Sequence, residues 1–130
     1  MTHPRLYEDL SHLWKLLSPP QDYTAESTHI GQILKAYDCH HIVEFGAGSG
    51  HGLWHLKDSF QITAVDQSQP MLDQARLLIP NLKIVAGDMR SVDLNQTFDA
   101  VLIHDAIDYM TTRSDVLTTL NNAWNHLKKD

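Results

Sequence analysis

The sequence predicts an α/β fold in which helices cover both faces of a parallel β-sheet. Along the 130 residues, short apolar runs alternate with segments of helical periodicity. The apolar runs are nearly continuous, as parallel strands buried on both faces require. Each run ends in glycine or polar residues, and ligands bind beyond the carboxyl ends of the strands in such sheets. These observations indicate a Rossmann-like domain with its ligand site at those strand ends.

Two helices are predicted ahead of the first strand. The first covers residues 5–17 and stops at Pro19 and Pro20, which break helices. Its apolar side chains recur at helical spacing and are Leu6, Leu10, Leu13, Trp14 and Leu17. The second is expected to begin with Asp22 as its N-cap. Its apolar side, directed at the core, is formed by Ile30, Ile33, Leu34 and Tyr37.

The segment from residue 41 to residue 52 organises the chain. Three β-favouring residues lead into glycines at every second position, which are Gly46, Gly48, Gly50 and Gly52. Glycine permits positive φ and lets the backbone approach a ligand, and a helix start behind the turn offers free N–H groups to negative charge. Glu44 lies inside the apolar strand, where burial is costly unless a cationic or hydrogen-bonding group pairs with it. We expect a ligand to be that partner.

The remainder of the chain continues the alternation of strand and helix. Residues 61–65 predict a strand that ends at Asp66, and Ser68 is expected to cap the next helix. Residues 82–86 and 100–103 predict the third and fourth strands, in the sheet order 3-2-1-4. Thr111 or Thr112 is expected to open a last helix. The apolar side of that helix is formed by Val116, Leu117, Leu120, Trp124 and Leu127.

Composition argues against several classes of function. The 16 acidic and 10 basic residues give a formal net charge of −6, and no basic run offers a surface to nucleic acid. No apolar run approaches the roughly 20 residues that span a bilayer. The single cysteine, Cys39, cannot form an internal disulfide. We therefore expect a cytoplasmic protein without nucleic-acid or membrane partners.

Two nucleotide-binding motifs and a metal-binding motif were compared with this segment, and each lacks a residue that it requires. A dinucleotide fingerprint starting at Gly46 needs glycine at position 51, and His51 weakens that interpretation without excluding it. A phosphate-binding P-loop needs Lys and then Ser or Thr after the glycines, where Leu53 and Trp54 stand. His51 and His55 are spaced to share a helix face, but no H-E-x-x-H pattern accompanies them. We predict no metal site and expect these histidines to be exposed to solvent.

The acidic residue followed by alternating glycines, VEFGAGSG, resembles the first motif of the class I S-adenosylmethionine (SAM)-dependent methyltransferases. The segments VDQSQPML, VAGDMR and FDAVLIHDAIDYM, with a helix ending LKKD, resemble the later motifs, so the similarity covers nearly the whole chain. The lead-in LYEDLSHLWKLLSPPQDY resembles bacterial small-molecule and sugar N-methyltransferases. The resemblance implies SN2 transfer of a methyl group from SAM to a small-molecule acceptor. The alternatives are a SAM- or nucleoside-binding module without transfer activity and a nicotinamide-dependent oxidoreductase.

The resemblance also implies a set of site residues within one domain. Residues 1–38 would form a helical lead-in or lid, and residues 39–130 the cofactor-binding core. The cofactor-binding residues that it implies are Tyr23, Glu44, Gly46, Ala47, Gly48, Gly50, Asp66, Gln67, Gly87, Asp88, Met89 and His104. Tyr23, with Tyr7 behind it, would close over the methionine end of the cofactor, and His104 is the candidate catalytic base.

Individual roles follow from the same resemblance. The first two glycines and Ala47 would approach the methionine part of SAM, and Glu44 would anchor its amino group. Asp66 would hold the ribose, whereas Asp88 and Met89 would hold the adenine. Each role has a structural alternative: Asp66 caps a helix, Asp88 forms an Asx turn, and His104 makes only a structural hydrogen bond.

The resemblance ends at the C-terminus. Members of the family normally continue after LKKD with a glycine, a fifth strand and an antiparallel pair. We therefore expect a sheet truncated before strand 5, with an unpaired apolar edge at strand 4. A second copy or a second chain is the expected cover for that edge.

Overall fold

A computed structural model describes residues 4–129 as a parallel four-stranded sheet with helices on both faces. The strands are β1 His41–Phe45, β2 Gln61–Asp66, β3 Lys83–Ala86 and β4 Ala100–Leu102. Their order is β3-β2-β1-β4, so the predicted fold class and strand order are confirmed. Val43 lies opposite Thr63 on one side and Val101 on the other, which aligns the ends of the central strands. Residues 1–3 of the predicted lead-in and residue 130 lie outside the described residues.

Each face of the sheet has its own core. The main helices are α2 Thr24–Ala36 and α3 Gln69–Leu78 on one face and α4 Arg113–Asn125 on the other. Ile42 packs with Leu34 of α2 and Leu72 of α3. Val43, one residue on, packs with Ala123 of α4, because successive strand side chains point to opposite faces. The continuous apolar character of the strands is therefore explained by burial on both sides.

The lead-in differs from the predicted pair of helices. Residues 5–17 form two 3₁₀ turns and one short helix instead of a continuous helix, namely Arg5–Tyr7, Ser11–Leu13 and α1 Trp14–Leu17. The carbonyl of Tyr7 accepts a hydrogen bond from the Ser68 hydroxyl, which ties this part of the lead-in to the start of α3. Asp22 is not an N-cap, because it lies in a 3₁₀ turn, Pro20–Tyr23, that runs directly into α2. Contacts with the core therefore override the apolar periodicity here.

The predicted apolar sides of α2 and α4 are only partly correct. Leu34 is buried in α2, but Ile33 and Tyr37 are exposed. Leu117, Leu120 and Trp124 of α4 are exposed by 48%, 51% and 62%. The helix buries Thr119 and Ala123 instead and directs polar side chains at the connection between β3 and β4. That connection has backbone groups that need hydrogen-bond partners, which apolar side chains cannot supply.

The predicted helix caps at Ser68 and Thr112 are confirmed. The Ser68 hydroxyl accepts a hydrogen bond from the Met71 amide at 3.2 Å. The Thr112 hydroxyl accepts one from the Asp115 amide at 3.0 Å. None of the helices between residues 4 and 129 has the length and apolar character that a bilayer crossing requires.

The outer edge of β4 is partly covered. Phe98, just before the strand, forms a parallel bridge with Leu127. The Phe98 amide donates to the His126 carbonyl at 2.7 Å, and the Lys128 amide donates to the Phe98 carbonyl at 3.0 Å. This bridge lies just before β4, so it does not overturn the expectation of an unpaired edge along the strand. Along β4 itself, the described residues provide a neighbour only on the β1 side.

Candidate functional site

A cavity of about 610 Å³ lies at the carboxyl ends of the strands. It brings together ten of the twelve residues that the sequence implicated, from both the lead-in and the core. They are Tyr23, Glu44, Gly46, Ala47, Gly48, Asp66, Gln67, Gly87, Met89 and His104. The other two, Gly50 and Asp88, are engaged elsewhere, as described below.

The turn after β1 forms the floor of the cavity. Gly46 and Gly48 have φ values of +74° and +57°, which glycine adopts without strain. The amides of Gly46 and Ala47 both donate to the Val65 carbonyl, at 2.8 and 3.0 Å, which ties the turn to β2. A Cβ on Gly46 would lie 2.1 Å from the Cβ of Ala106. Gly50 instead allows close packing on α3, because its Cβ would lie 3.1 Å from that of Ala75.

The carboxyl group of Glu44 faces this cavity at the end of β1. Within residues 4–129, no group donates a hydrogen bond to it. Burial, together with the like charges of Asp66 and Asp105, raises the pKa of Glu44 to about 8. A half-buried carboxyl group without a partner is costly to ionise, and a cationic ligand group would favour its ionised form. That its partner is a ligand stays a prediction.

Asp66 connects the glycine turn to the start of α3. One of its carboxylate oxygens accepts a hydrogen bond from the Gly48 amide and the other from the Ser68 amide, both at 2.9 Å. Each carboxylate oxygen has a further lone pair, so the side chain still has acceptors for ligand hydroxyl groups. The structural and ligand-binding interpretations of Asp66 are therefore compatible.

Asp88 is engaged by Arg90, a residue that sequence reasoning did not single out. The guanidinium donates to both carboxylate oxygens, at 3.0 Å from Nε and 2.6 Å from Nη2, which holds the pKa of Asp88 below its usual value. The Arg90 amide also donates to Asp88 at 2.8 Å, the Asx-turn geometry that was the alternative interpretation. Met89 and Arg90 form the cavity wall here, and Arg90 also reaches Asp115 at 3.3 Å.

Two histidines hold the lead-in against the glycine turn. The Nδ1 atom of His51 donates to the Ser18 carbonyl, and Nε2 of His55 donates to the Pro20 carbonyl at 2.7 Å, since a carbonyl only accepts. The Ser18 hydroxyl in turn bonds the Tyr23 hydroxyl at 2.7 Å. The expectation of solvent-exposed histidines is wrong, because His51 is buried and His55 half-buried. They place Tyr23 on the cavity.

Tyr7 connects the lead-in to the far side of the cavity. Its hydroxyl is hydrogen-bonded to that of Tyr109, which follows β4. Burial and this bond raise the pKa of Tyr7 to about 12. Its ring also packs against Trp14, with 5.7 Å between the ring centroids. Trp14 and Tyr109 also line the cavity, and although both lie in segments that resemble the family, neither was predicted as a site residue.

The imidazole of His104 lies between two carboxylates. Its Nε2 is 3.2 Å from Glu26 of α2, and its Nδ1 is 3.4 Å from Asp105. Both carboxylates line the cavity. Glu26 is 78 positions away in sequence, so no local pattern could have associated it with His104.

A comparison with models of known protein families identifies the family of this chain. The sequence model described as "Methyltransferase domain" matches residues 42–130. The chain belongs to this family. The methyltransferase domain is 27% identical, over 112 residues, to the dTDP-3-amino-3,4,6-trideoxy-alpha-D-glucopyranose N,N-dimethyltransferase of Streptomyces venezuelae. That match covers 83% of this chain and 47% of the relative. The chain spans about half the length of the curated relatives it matches.

Solved structures resemble the methyltransferase domain over most of its length. The crystal structure of Streptomyces venezuelae DesVI superposes with a TM-score of 0.82 at 23% identity, covering 91% of this chain and 52% of that one. SAM-bound CalS10, an amino pentose methyltransferase from Micromonospora echinaspora, gives a TM-score of 0.78 at 26% identity, with coverages of 82% and 47%. The predicted family is confirmed, SAM is the cofactor of this family, and the nicotinamide-dependent alternative is wrong.

The cavity of the methyltransferase domain fits that cofactor. SAM carries an ammonium group, for which the unpartnered Glu44 would provide the counter-charge. Gly46 and Gly48 line the cavity at positive φ, so the backbone of the turn itself faces the ligand space. Asp66 retains acceptor capacity for hydroxyl groups, and Met89 offers an apolar wall. These two carboxylate groups and the apolar wall therefore match a ligand with one cationic, one hydroxylated and one apolar part.

Proposed function

We propose that this domain binds SAM in the cavity and transfers its methyl group to a small-molecule amine. The observation that carries the proposal is Glu44, a half-buried carboxyl group that faces the cavity without a partner beside a glycine turn at positive φ. The relatives whose names specify N-methylation support an amine as acceptor. When bound, SAM supplies a methyl group on a sulfonium, which is already activated toward a nucleophile.

The residues of the chain divide between holding the cofactor and positioning the acceptor. Glu44 would hold the methionine amino group, Asp66 with Gln67 the ribose, and Met89 the adenine ring. Tyr23 and Tyr7 would exclude water from the cavity on the side of the lead-in, because both line it there. Alignment and exclusion of water supply much of the rate in such a transfer.

His104 is proposed as the base that makes the acceptor nucleophilic. An amine attacks only through a free lone pair, so an ammonium acceptor must first lose a proton. Glu26, which faces His104 Nε2 at 3.2 Å, has a side chain that is 56% exposed. An incoming ammonium group would replace it at Nε2 and give its proton to His104. Glu26 and Asp105 leave negative charge around the acceptor, which favours a cationic amine.

Calorimetric titration with S-adenosylhomocysteine tests the cofactor site. We expect saturable binding by the wild type and a Kd raised roughly 10- to 100-fold in Asp66→Asn, which loses charge-assisted hydrogen bonds but keeps its shape. Asp73→Asn, an exposed aspartate on α3, is the matched control and should bind as the wild type does. Failure of the folded wild type to bind would refute the proposal.

His104→Gln tests the base. With a 3-amino sugar nucleotide as acceptor, we expect kcat to fall about 100-fold, within the usual range for general-base catalysis, while affinity for S-adenosylhomocysteine is retained. The deficit should shrink as the pH rises, because the amine then loses its proton without help. An unchanged kcat, or a deficit independent of pH, would show that His104 is not the base.

Binding without transfer is the second candidate function. It requires only the cofactor-binding residues that the cavity brings together. Detection of methylated product separates the two. Several expectations stay predictions: the division at residues 1–38 and 39–130, a cytoplasmic location, the absence of nucleic-acid partners, and a second copy or chain along β4.

A further inference from the structure

Helix α4 directs a stripe of polar side chains at the connection between β3 and β4. Asp115, Asn122 and His126 are spaced by seven and four residues, which places them on one face. Residues 87–99 lie opposite them and are here termed the adenine loop. This loop has no regular secondary structure apart from turns and an isolated bridge at Phe98. The loop includes Met89, which forms part of the cavity wall.

Asn122 makes the central contacts of this stripe. Its Nδ2 donates to the Met89 carbonyl and to the Val92 carbonyl, both at 3.0 Å. Both amide hydrogens are therefore used. Among the hydrogen bonds of residues 4–129, these are the ones that satisfy the two loop carbonyls. The fold thus fixes the backbone of Met89 through a side chain of α4, the helix that covers the same face of the sheet.

The neighbours of Asn122 secure the rest of the loop. His126 accepts a hydrogen bond from the Leu94 amide at 3.1 Å on Nε2, and its Nδ1 donates to the Asn122 carbonyl at 2.8 Å. Asp115 reaches Arg90, which holds Asp88. Within the loop, a Cβ on Gly87 would lie 2.8 Å from Val92 Cγ2. The loop is therefore tightly folded, and a shift at Met89 would propagate to its neighbours.

We propose that Asn122 is a positioning residue for the adenine end of the cofactor. By holding the carbonyls of Met89 and Val92, it sets the position of the Met89 side chain in the cavity wall. Asn122 does not itself line the cavity, so it acts through the loop. The inference rests on the proposed function, because it presumes that the cavity holds the adenosine part of SAM.

The experiment compares asparagines of one helix. Asn122→Asp keeps the shape but removes both donors, Asn122→Ala removes the side chain, and Asn122→Ser keeps one donor on a shorter side chain. Asn121→Ala and Asn125→Ala change exposed residues of α4 and are the matched controls. Each variant is titrated with S-adenosylhomocysteine and with adenosine, and thermal unfolding verifies that it is folded.

The result expected is a Kd raised about tenfold or more for both ligands in Asn122→Asp and Asn122→Ala, since two hydrogen bonds are lost. Asn122→Ser should be intermediate and the two controls unchanged. Equal losses for both ligands locate the effect at the adenosine end, whereas Glu44→Gln should weaken S-adenosylhomocysteine alone. A purely structural role would lower the melting temperature and leave the Kd of the folded variants unchanged.

Two outcomes overturn the inference. One is wild-type affinity in folded Asn122→Asp or Asn122→Ser, and the other is a loss confined to S-adenosylhomocysteine with adenosine unaffected. Failure of the wild type to bind either ligand would be a different result, because it would refute the proposed function as well. The two failures are therefore distinguishable within one set of titrations.

Discussion

Gly46→Ala is expected to abolish cofactor binding and to destabilise the fold. The residue has a φ of +74°, which costs an alanine roughly 1–2 kcal/mol. Its new Cβ would also lie 2.1 Å from the Cβ of Ala106, so the segment after β4 would have to move. Overpacking of this kind costs roughly 1–3 kcal/mol, which gives a total of about 2–5 kcal/mol. Urea unfolding and titration with S-adenosylhomocysteine measure the two effects.

Gly48 and Gly52 provide controls in which the expected effect of an added Cβ is smaller. Gly52 has helical angles, φ −68° and ψ −40°, and its Cβ would meet nothing closer than Ser27 Oγ at 3.8 Å. Gly52→Ala should therefore leave stability and affinity close to wild type. Gly48→Ala should be intermediate, because φ is +57° but the nearest atom is the flexible end of Met71, at 3.3 Å. Equal effects at all three positions would contradict the steric explanation.

These glycines also illustrate what the sequence could predict. The strand order and the glycine turn were predictable because their signals are local: apolar runs, alternating glycines, and caps such as Ser68 and Thr112. The orientation of α4 was not predictable from the sequence. Periodicity identifies the apolar stripe of Leu117, Leu120 and Trp124, but it does not show that a neighbouring loop requires the polar face of the helix. Hydrophobic pattern alone cannot weigh the unpaired carbonyls of a distant loop against three apolar side chains.

In the candidate site, too, residues within local motifs were predictable and contacts between distant elements were not. Glu44 and Asp66 were identifiable because each stands at a strand end beside a motif. Their surroundings were not, since Glu26 reaches His104 from another element, and Arg90 engages Asp88 through side-chain geometry that spacing does not encode. The sequence likewise predicted His51 to be exposed, because nothing local shows that the lead-in packs over it.

Glu44→Gln is expected to weaken S-adenosylhomocysteine binding while stabilising the ligand-free protein at alkaline pH. In the wild type the pKa of Glu44 is raised to about 8, from an ordinary value of 4.5. The native state therefore binds the proton more tightly than the unfolded state, and stability falls as the pH rises from about 4.5 to about 8. Glutamine mimics the protonated acid and does not titrate. The variant should match the wild type near pH 5 and exceed it by a few kcal/mol above pH 8.

Urea unfolding at pH 5 and pH 8.5 measures this difference, with Asp73→Asn as the control for an exposed acid. A stability difference between Glu44→Gln and the wild type that does not grow with pH would contradict a raised pKa at Glu44.

The same carboxyl group predicts a proton linkage in binding. A cationic amino group beside Glu44 favours the ionised carboxylate, so binding near pH 7 should release close to one proton from the wild type and none from Glu44→Gln. Titration in two buffers of different ionisation enthalpy measures that proton. Affinity of the wild type should rise with pH up to about 8, and that of the variant should not. Binding without proton release in the wild type would place the ligand's amino group elsewhere. Glu44 thus destabilises the empty protein in the same pH range in which it favours a cationic ligand.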